Sequence, residues 1–263
     1  MHRIAIGIAT GSFKVHLAQP ISLIHMMGGR DWSAYHFEVI FQNGIYIEVN
    51  RNVIAATFLK RTDCDFLFFW DHDNGLFPDA FDLFMEDMKD PNINILSGLY
   101  YRKEPEMRSV AGMALYAEDG YTSDSLMFLS AGLIDLTTYG GSHRGMLGTG
   151  CMMIRREVFE NLPYPWFQTQ FYEIEGFETA DGKAPFKTED TFFCELAQEH
   201  GYHVHLDTRI KSPHYHDARC WPDEWRQFGQ SSGEKAVEEI DEQAVIYARK
   251  RIVEGAKQSV KEK

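Results

Sequence analysis

Residues 66–73 read Phe-Leu-Phe-Phe-Trp-Asp-His-Asp, an unbroken apolar run that stops at two carboxylates one residue apart. Five consecutive large apolar side chains fit a strand buried on both faces, because a strand with one wet face alternates apolar with polar. The acidic pair then falls at the strand's C-terminal edge, where open α/β sheets bind their ligands. Asp71 and Asp73 present hard oxygen donors of the kind a divalent cation takes, and a cation there could bridge the phosphates of a nucleotide. A solvated acidic turn has the same local sequence, so the rest of the chain has to decide between the two.

Outward from this strand, the first hundred residues alternate two kinds of pattern. Residues 4–9 and 37–41 read as strands, with Thr10-Gly11-Ser12 as the loop leaving the first and Gln42-Asn43-Gly44 as a turn after the second. Residues near 20–29, after Pro20, and residues 49–61 read as helices, the latter with apolar side chains at 53, 54, 58 and 59. Pro78 opens a further helix over 79–88, with Phe81, Phe84, Met85 and Met88 on one face, and 93–99 resumes the strand pattern. This alternation predicts an α/β fold with a mostly parallel sheet and right-handed crossovers.

The pattern changes after Tyr100. Residues 101–147 are rich in Gly and Tyr with short strand-like pieces at 110–116 and 126–130, which predicts a loop-rich, partly antiparallel elaboration facing the substrate. Gly148-Thr149-Gly150 introduces a strand at 151–154, followed by a short helix to Asn161 that Pro163 stops. Residues 164–187, dense in aromatics and glycine, read as a long loop or lid. Thr188-Glu189-Asp190 opens a helix running to about His200 and ended by Gly201, and 202–207 is another strand. A long charged helix is expected over 231–260. The organisation expected is a catalytic domain over 1–220, with a nucleotide-binding half (1–100) and an acceptor-side half (101–220), followed by a helical extension over 221–263 that could mediate a homo-oligomer.

Composition narrows the class. With 263 residues, 44% of them apolar and 14% aromatic, the chain can bury a substantial core. A net charge of −13 argues against a general nucleic-acid binder that relies on phosphate neutralisation. Cys64, Cys151, Cys194 and Cys220 are far apart and form no CxxC pair, so reduced buried thiols are expected, as in a cytoplasmic protein. The N-terminal apolar segment is short and strand-like, and no run approaches the roughly 18–20 residues of a membrane span.

Several further groups can carry chemistry. Glu189 and Asp190 sit in the first turn of a helix, where the macrodipole favours ionised carboxylates; Thr188 as N-cap makes this ordinary capping, yet a carboxylate at a cleft edge also suits a general base toward a hydroxyl acceptor, with Asp190 the candidate. His203 and His205 alternate on one strand face, a pattern that an exposed strand edge explains without a metal. His214 and His216 follow in an irregular Pro-containing segment from which an imidazole could reach a metal. Arg51, beside Asn50, reads either as a surface helix residue or as a guanidinium for a nucleotide. The glycines of Gly148-Thr149-Gly150 suit either a tight turn or close backbone approach to a sugar.

Taken in order, strand 4–9, Asn50-Arg51, the apolar strand into Asp71-His72-Asp73 with Phe77-Pro78, Gly148-Thr149-Gly150-Cys151-Met152-Met153-Ile154-Arg155-Arg156, Thr188-Glu189-Asp190-Thr191-Phe192-Phe193-Cys194 with Gly201, and His214 resemble the GT-A glycosyltransferases. The similarity is greatest to small bacterial and phage-like members related to the family that holds many inverting enzymes, and it covers roughly residues 3–216. The resemblance implies a Rossmann-like twisted sheet with helices on both faces. It implies a UDP- or GDP-sugar donor at Ala9, Thr10, Asn50, Arg51, Asp71, His72, Asp73, Gly148, Thr149 and Gly150. It implies Mn²⁺ or Mg²⁺ on the DxD carboxylates Asp71 and Asp73 plus His214, and catalytic Asp190 with Glu189 near the acceptor hydroxyl. His72 departs from the usual middle residue of that motif. The acceptor is open among a glycan, a small molecule and a modified nucleobase in DNA, as is inversion against retention. A metal-dependent phosphohydrolase or nucleotidyltransferase remains an alternative reading of the same carboxylates. A non-catalytic carbohydrate-binding protein is another, suggested by Trp166, Phe167, Phe171 and Tyr172.

Overall fold

The five residues of β3 (Phe66–Trp70) are all buried, and their side chains divide strictly by parity. Leu67 and Phe69 join the core on one face of the sheet, while Phe66, Phe68 and Trp70 join the core on the other. The computed structural model describes residues 1–10, 31–102, 109–117, 120–125, 132–139, 144–171 and 186–215. All of them belong to one compact unit, Met1–Pro222. The helices expected near 20–29 and over 231–260, the strand piece at 126–130, Cys220, His216, Tyr172, and the boundary at 220/221 lie outside the described residues.

A seven-stranded sheet is ordered β2 (Tyr35–Asn43), β1 (His2–Thr10), β3, β9 (Cys151–Arg155), β4 (Ile95–Leu99), β12 (Val204–Lys211), β7 (Leu133–Asp135). Pairings β1–β2, β1–β3 and β4–β12 are parallel; β9 is antiparallel to both of its neighbours, and β7 is antiparallel to β12. Five strands therefore run one way and two the other, giving the mostly parallel mixed α/β sheet that the strand and helix alternation predicts. A second sheet, β6 (Gly120–Ser125), β5 (Gly112–Ala117) and β8 (Arg144–Met146), is wholly antiparallel, as expected for the elaboration after Tyr100.

Helices cover both faces. On one side α1 (Ile47–Arg61), α4 (Arg156–Asn161) and α5 (Glu189–Glu199) supply Ile54, Phe58, Val158, Phe159, Phe193 and Cys194 to the first core. On the other side α2 (Ala80–Asp87) supplies Phe81, Phe84 and Met85, the face foreseen from its spacing. A one-turn helix, α3 (Leu136–Tyr139), follows β7. Gly201, at φ +84°, takes the left-handed conformation that ends α5.

Two expectations need correction. Residues 164–187 are not loop throughout, because β10 (Gln170–Phe171) pairs with β11 (Phe186–Lys187). Trp166 and Phe167 are core residues, not an exposed platform: Phe167 is buried and stacks on Phe193 at 4.8 Å, and Trp166 packs edge-on against Phe159 at 5.5 Å. Neither ring offers a face to a sugar. Cys64, Cys151 and Cys194 are free and buried, with burial pushing the Cys151 thiol up to about 12.

Candidate functional site

One edge of the sheet gathers the ends of β1, β2, β3, β4 and β12, because these strands run in the same direction. β9 contributes from its beginning, since it runs against them: Cys151 lies opposite Trp70, so the preceding Gly148-Thr149-Gly150 arrives beside Asp71. The Asp71 N–H donates to the Gly150 carbonyl at 3.0 Å, and the Gly150 N–H donates to the Tyr100 hydroxyl at 2.9 Å. A Cβ on Gly150 would lie 3.1 Å from Asp71 Oδ2 and 3.0 Å from Asn74 Nδ2. On Gly148 it would lie 2.0 Å from the Tyr100 hydroxyl. Close packing around the acidic turn leaves no room for a side chain at Gly148 and little at Gly150.

Arg51 is buried rather than a surface helix residue. Its two terminal nitrogens donate to the two Asp71 oxygens at 3.0 Å each, and its Nε donates to Glu189 at 3.2 Å. One guanidinium thus joins α1, the end of β3 and the start of α5 in a bidentate geometry that a lysine cannot reproduce. Asn50, one residue earlier, donates to the carbonyls of Thr10 and Gly44 and ties the ends of β1 and β2 together. Ala9 and Thr10 are buried at the end of β1.

Thr188 occupies the N-cap of α5, but its hydroxyl turns to Asp190 instead of capping a backbone N–H. Asp190 Oδ1 also accepts from the Thr191 N–H at 2.8 Å. Burial and the neighbouring Asp190 raise Glu189 above the usual carboxylate range, with the Arg51 charge pulling the other way. Burial, Asp71 and Asp190 likewise raise the Tyr100 hydroxyl, which stays protonated at neutral pH.

On the far side of the turn, the chain leaves β12 at Lys211, and His214 pairs with Asn74 in an isolated antiparallel bridge. His214 Nδ1 lies 2.8 Å from the Tyr101 carbonyl, an acceptor, so this ring nitrogen is the donor, and Nε2 lies 3.7 Å from Asp73 Oδ1. The Tyr215 N–H donates to the Asp73 carbonyl at 2.7 Å and holds the segment in place. His72 is partly exposed in the same turn.

Two ligands on one divalent ion sit roughly 3–4 Å apart, and His214 Nε2 and Asp73 Oδ1 are separated by 3.7 Å. Among the described residues, buried Asn74 Oδ1 and Thr149 Oγ1 have no hydrogen-bond partner, so polar capacity remains around the turn. Asp71, Asp73, His214, Gly148, Thr149, Gly150, Glu189, Asp190 and Arg51 are therefore brought to one edge. Tyr100 and Tyr101 were missed, although the rule that singled out Asp71 covers them: they directly follow β4 at its C-terminal end.

No family model matches the chain, and no curated protein does. Among solved structures, A197 from STIV matches with a TM-score of 0.52 at 19% identity, over 82% of this chain and 87% of that one. The chain thus shares the fold of that protein. Residues 1–349 of S. aureus TarS give a TM-score of 0.43 at 12% identity, over 79% of this chain and 58% of that one. A longer TarS structure gives 0.44 at 13%, over 79% and 35%. Both lie below what defines a common fold. Among the described residues no helix is long and apolar enough to cross a membrane.

Proposed function

We propose that this protein is a metal-dependent glycosyltransferase that moves a sugar from a nucleoside-diphosphate sugar to a hydroxyl acceptor. The observation that carries the reading is the Asp73–His214 pair, with Nε2 and Oδ1 3.7 Å apart, beside Asp71 and the Gly148–Gly150 backbone at one sheet edge. Asp73, His214 and Asp71 would hold Mn²⁺ or Mg²⁺. When bound, such an ion supplies Lewis-acid stabilisation of the negative charge on a departing diphosphate. Arg51 fixes the orientation of Asp71 and balances part of the local negative charge. Gly148, Thr149 and Gly150, packed beside Asp71, would border the donor, and the end of β1 at Ala9 and Thr10, with Asn50, would border the nucleotide.

Asp190 is the residue assigned to the acceptor. Its Oδ1 is held by Thr188 and Thr191, which orients the carboxylate, whereas Glu189 is engaged by Arg51 and buried. In an inverting reaction Asp190 takes the acceptor proton, and in a retaining one it positions the acceptor. The test is incubation with UDP- and GDP-sugars and Mn²⁺ across an acceptor panel. Acceptor-stimulated release of nucleoside diphosphate supports transfer, and release of nucleoside monophosphate makes the protein a phosphohydrolase instead.

A further inference from the structure

At the opposite edge of the sheet, β7 and β12 pair antiparallel with Asp135 directly across from His205. Residues opposite one another in such a pair project to the same face, and His203 shares that face two positions earlier. The three side chains converge: His203 Nδ1 lies 2.8 Å from Asp135 Oδ2, the two imidazole rings stack at 6.2 Å, and one donor atom from each residue lies within 4.8 Å of the others.

We propose that Asp135, His203 and His205 form a second metal site, selective for a borderline transition ion of the Zn²⁺ class and structural in role. Three features support it. His205 is 8% exposed, and among the described residues its buried Nδ1 has no hydrogen-bond partner, a costly arrangement for a ring nitrogen. Asp135 is oriented by accepting from the Thr137 N–H and the Thr138 hydroxyl, each at 2.9 Å, the type of outer contact that positions a ligating carboxylate. Finally, the His203 side chain is 45% exposed, so the ring can turn to close the set and water can complete a tetrahedron.

The ligand chemistry separates this site from the acidic turn. Two imidazoles and one carboxylate favour Zn²⁺, Co²⁺ or Ni²⁺ over Mg²⁺, whereas the carboxylate-rich edge at Asp71 and Asp73 suits a harder ion. The eight residues of β12 lie between the two edges, a span on the order of 25 Å. A metal here would staple the three-residue outer strand β7 to β12. The sequence alternation of His203 and His205 did not show this, because Asp135 is 68 residues away from His203.

The experiment titrates the metal-free full chain with Zn²⁺ alone by calorimetry, repeats the titration with Co²⁺ by absorption, and follows thermal unfolding with and without Zn²⁺. The expected result is a Zn²⁺ equivalent, resolved from any taken up at Asp73 and His214, whose affinity falls at least 10-fold in His203→Ala and in Asp135→Asn, and is unchanged in Asp73→Asn and His214→Ala. Tetrahedral Co²⁺ bands should vanish in the first two variants. His203 is half-exposed, so His203→Ala tests the site without emptying a core position, and its circular dichroism should match the parent. Equal Zn²⁺ affinity in His203→Ala and the parent, or loss of that affinity in His214→Ala, overturns the proposal.

Discussion

Arg51 and Asp71 meet in a two-bond fork at 3.0 Å per bond, with Arg51 almost wholly buried. Removing the guanidinium would leave Asp71 and Glu189 without their shared partner. Breaking a buried ion pair from one side costs about 3–5 kcal/mol. Arg51→Ala should therefore lose about that much in urea denaturation, and Arg51→Lys should recover only part of it because an ammonium cannot fill both Asp71 oxygens and reach Glu189.

His214→Ala removes an imidazole whose side chain is 17% exposed, in the segment after β12, so the fold should persist. Mn²⁺-supported binding of a nucleoside diphosphate, measured by calorimetry, should weaken 10-fold or more. Asp73→Asn should act in the same direction. Unchanged binding in both variants would remove these residues from the metal site.

The two glycines before β9 should fail differently. Gly148→Ala places a methyl 2.0 Å from the Tyr100 hydroxyl and 2.3 Å from Val110, an overpacked position expected to cost about 1–3 kcal/mol in thermal or chemical unfolding. Gly150→Ala meets Asp71 Oδ2, Asn74 and Tyr100 at 3.0–3.1 Å. Its stability loss should be smaller, and its main effect should be weaker nucleotide binding through the displaced carboxylate.

Glu189 carries a pH signature. Burial and Asp190 raise its pKa from 4.5 to about 7, so between those values the native protein holds a proton that the unfolded chain has released. Its contribution to stability is fully present below pH 4.5 and is lost as pH rises through about 7. Glu189→Gln keeps an acceptor for Arg51 but cannot titrate. The stability of the parent relative to Glu189→Gln, from denaturant titrations at a series of pH values, should therefore fall across this window and level off above it.

Phe167→Ala should cost about 3–5 kcal/mol, because the ring is buried between Phe193 and Phe69. The loss belongs to the core. Nucleotide binding per folded molecule should be unchanged in the same calorimetric assay.

Much of this arrangement was legible in the chain. The unbroken Phe66–Trp70 run required cover on both faces, and it delivered Asp71 and Asp73 to a strand end. The helical face of Phe81, Phe84 and Met85 followed from spacing alone. Periodicity is a local property, and the hydrophobic effect acts on it directly. Arg51 was ambiguous for the same reason: the polar character that suits a helix surface also suits a buried fork, and the difference lies in Asp71, 20 residues on, and Glu189, 138 residues on.

By itself, then, the sequence determined the strand and helix alternation, the two-faced core and the acidic turn at a strand end, because each depends on side chains a few residues apart. Only the tertiary structure decided that β9 runs against its neighbours and so brings Gly150 to Asp71, that Arg51 joins Asp71 to Glu189, and that Asp135 faces His203 and His205. Those relationships depend on strand order and direction, which set distances between residues far apart in the chain and leave no trace in local pattern.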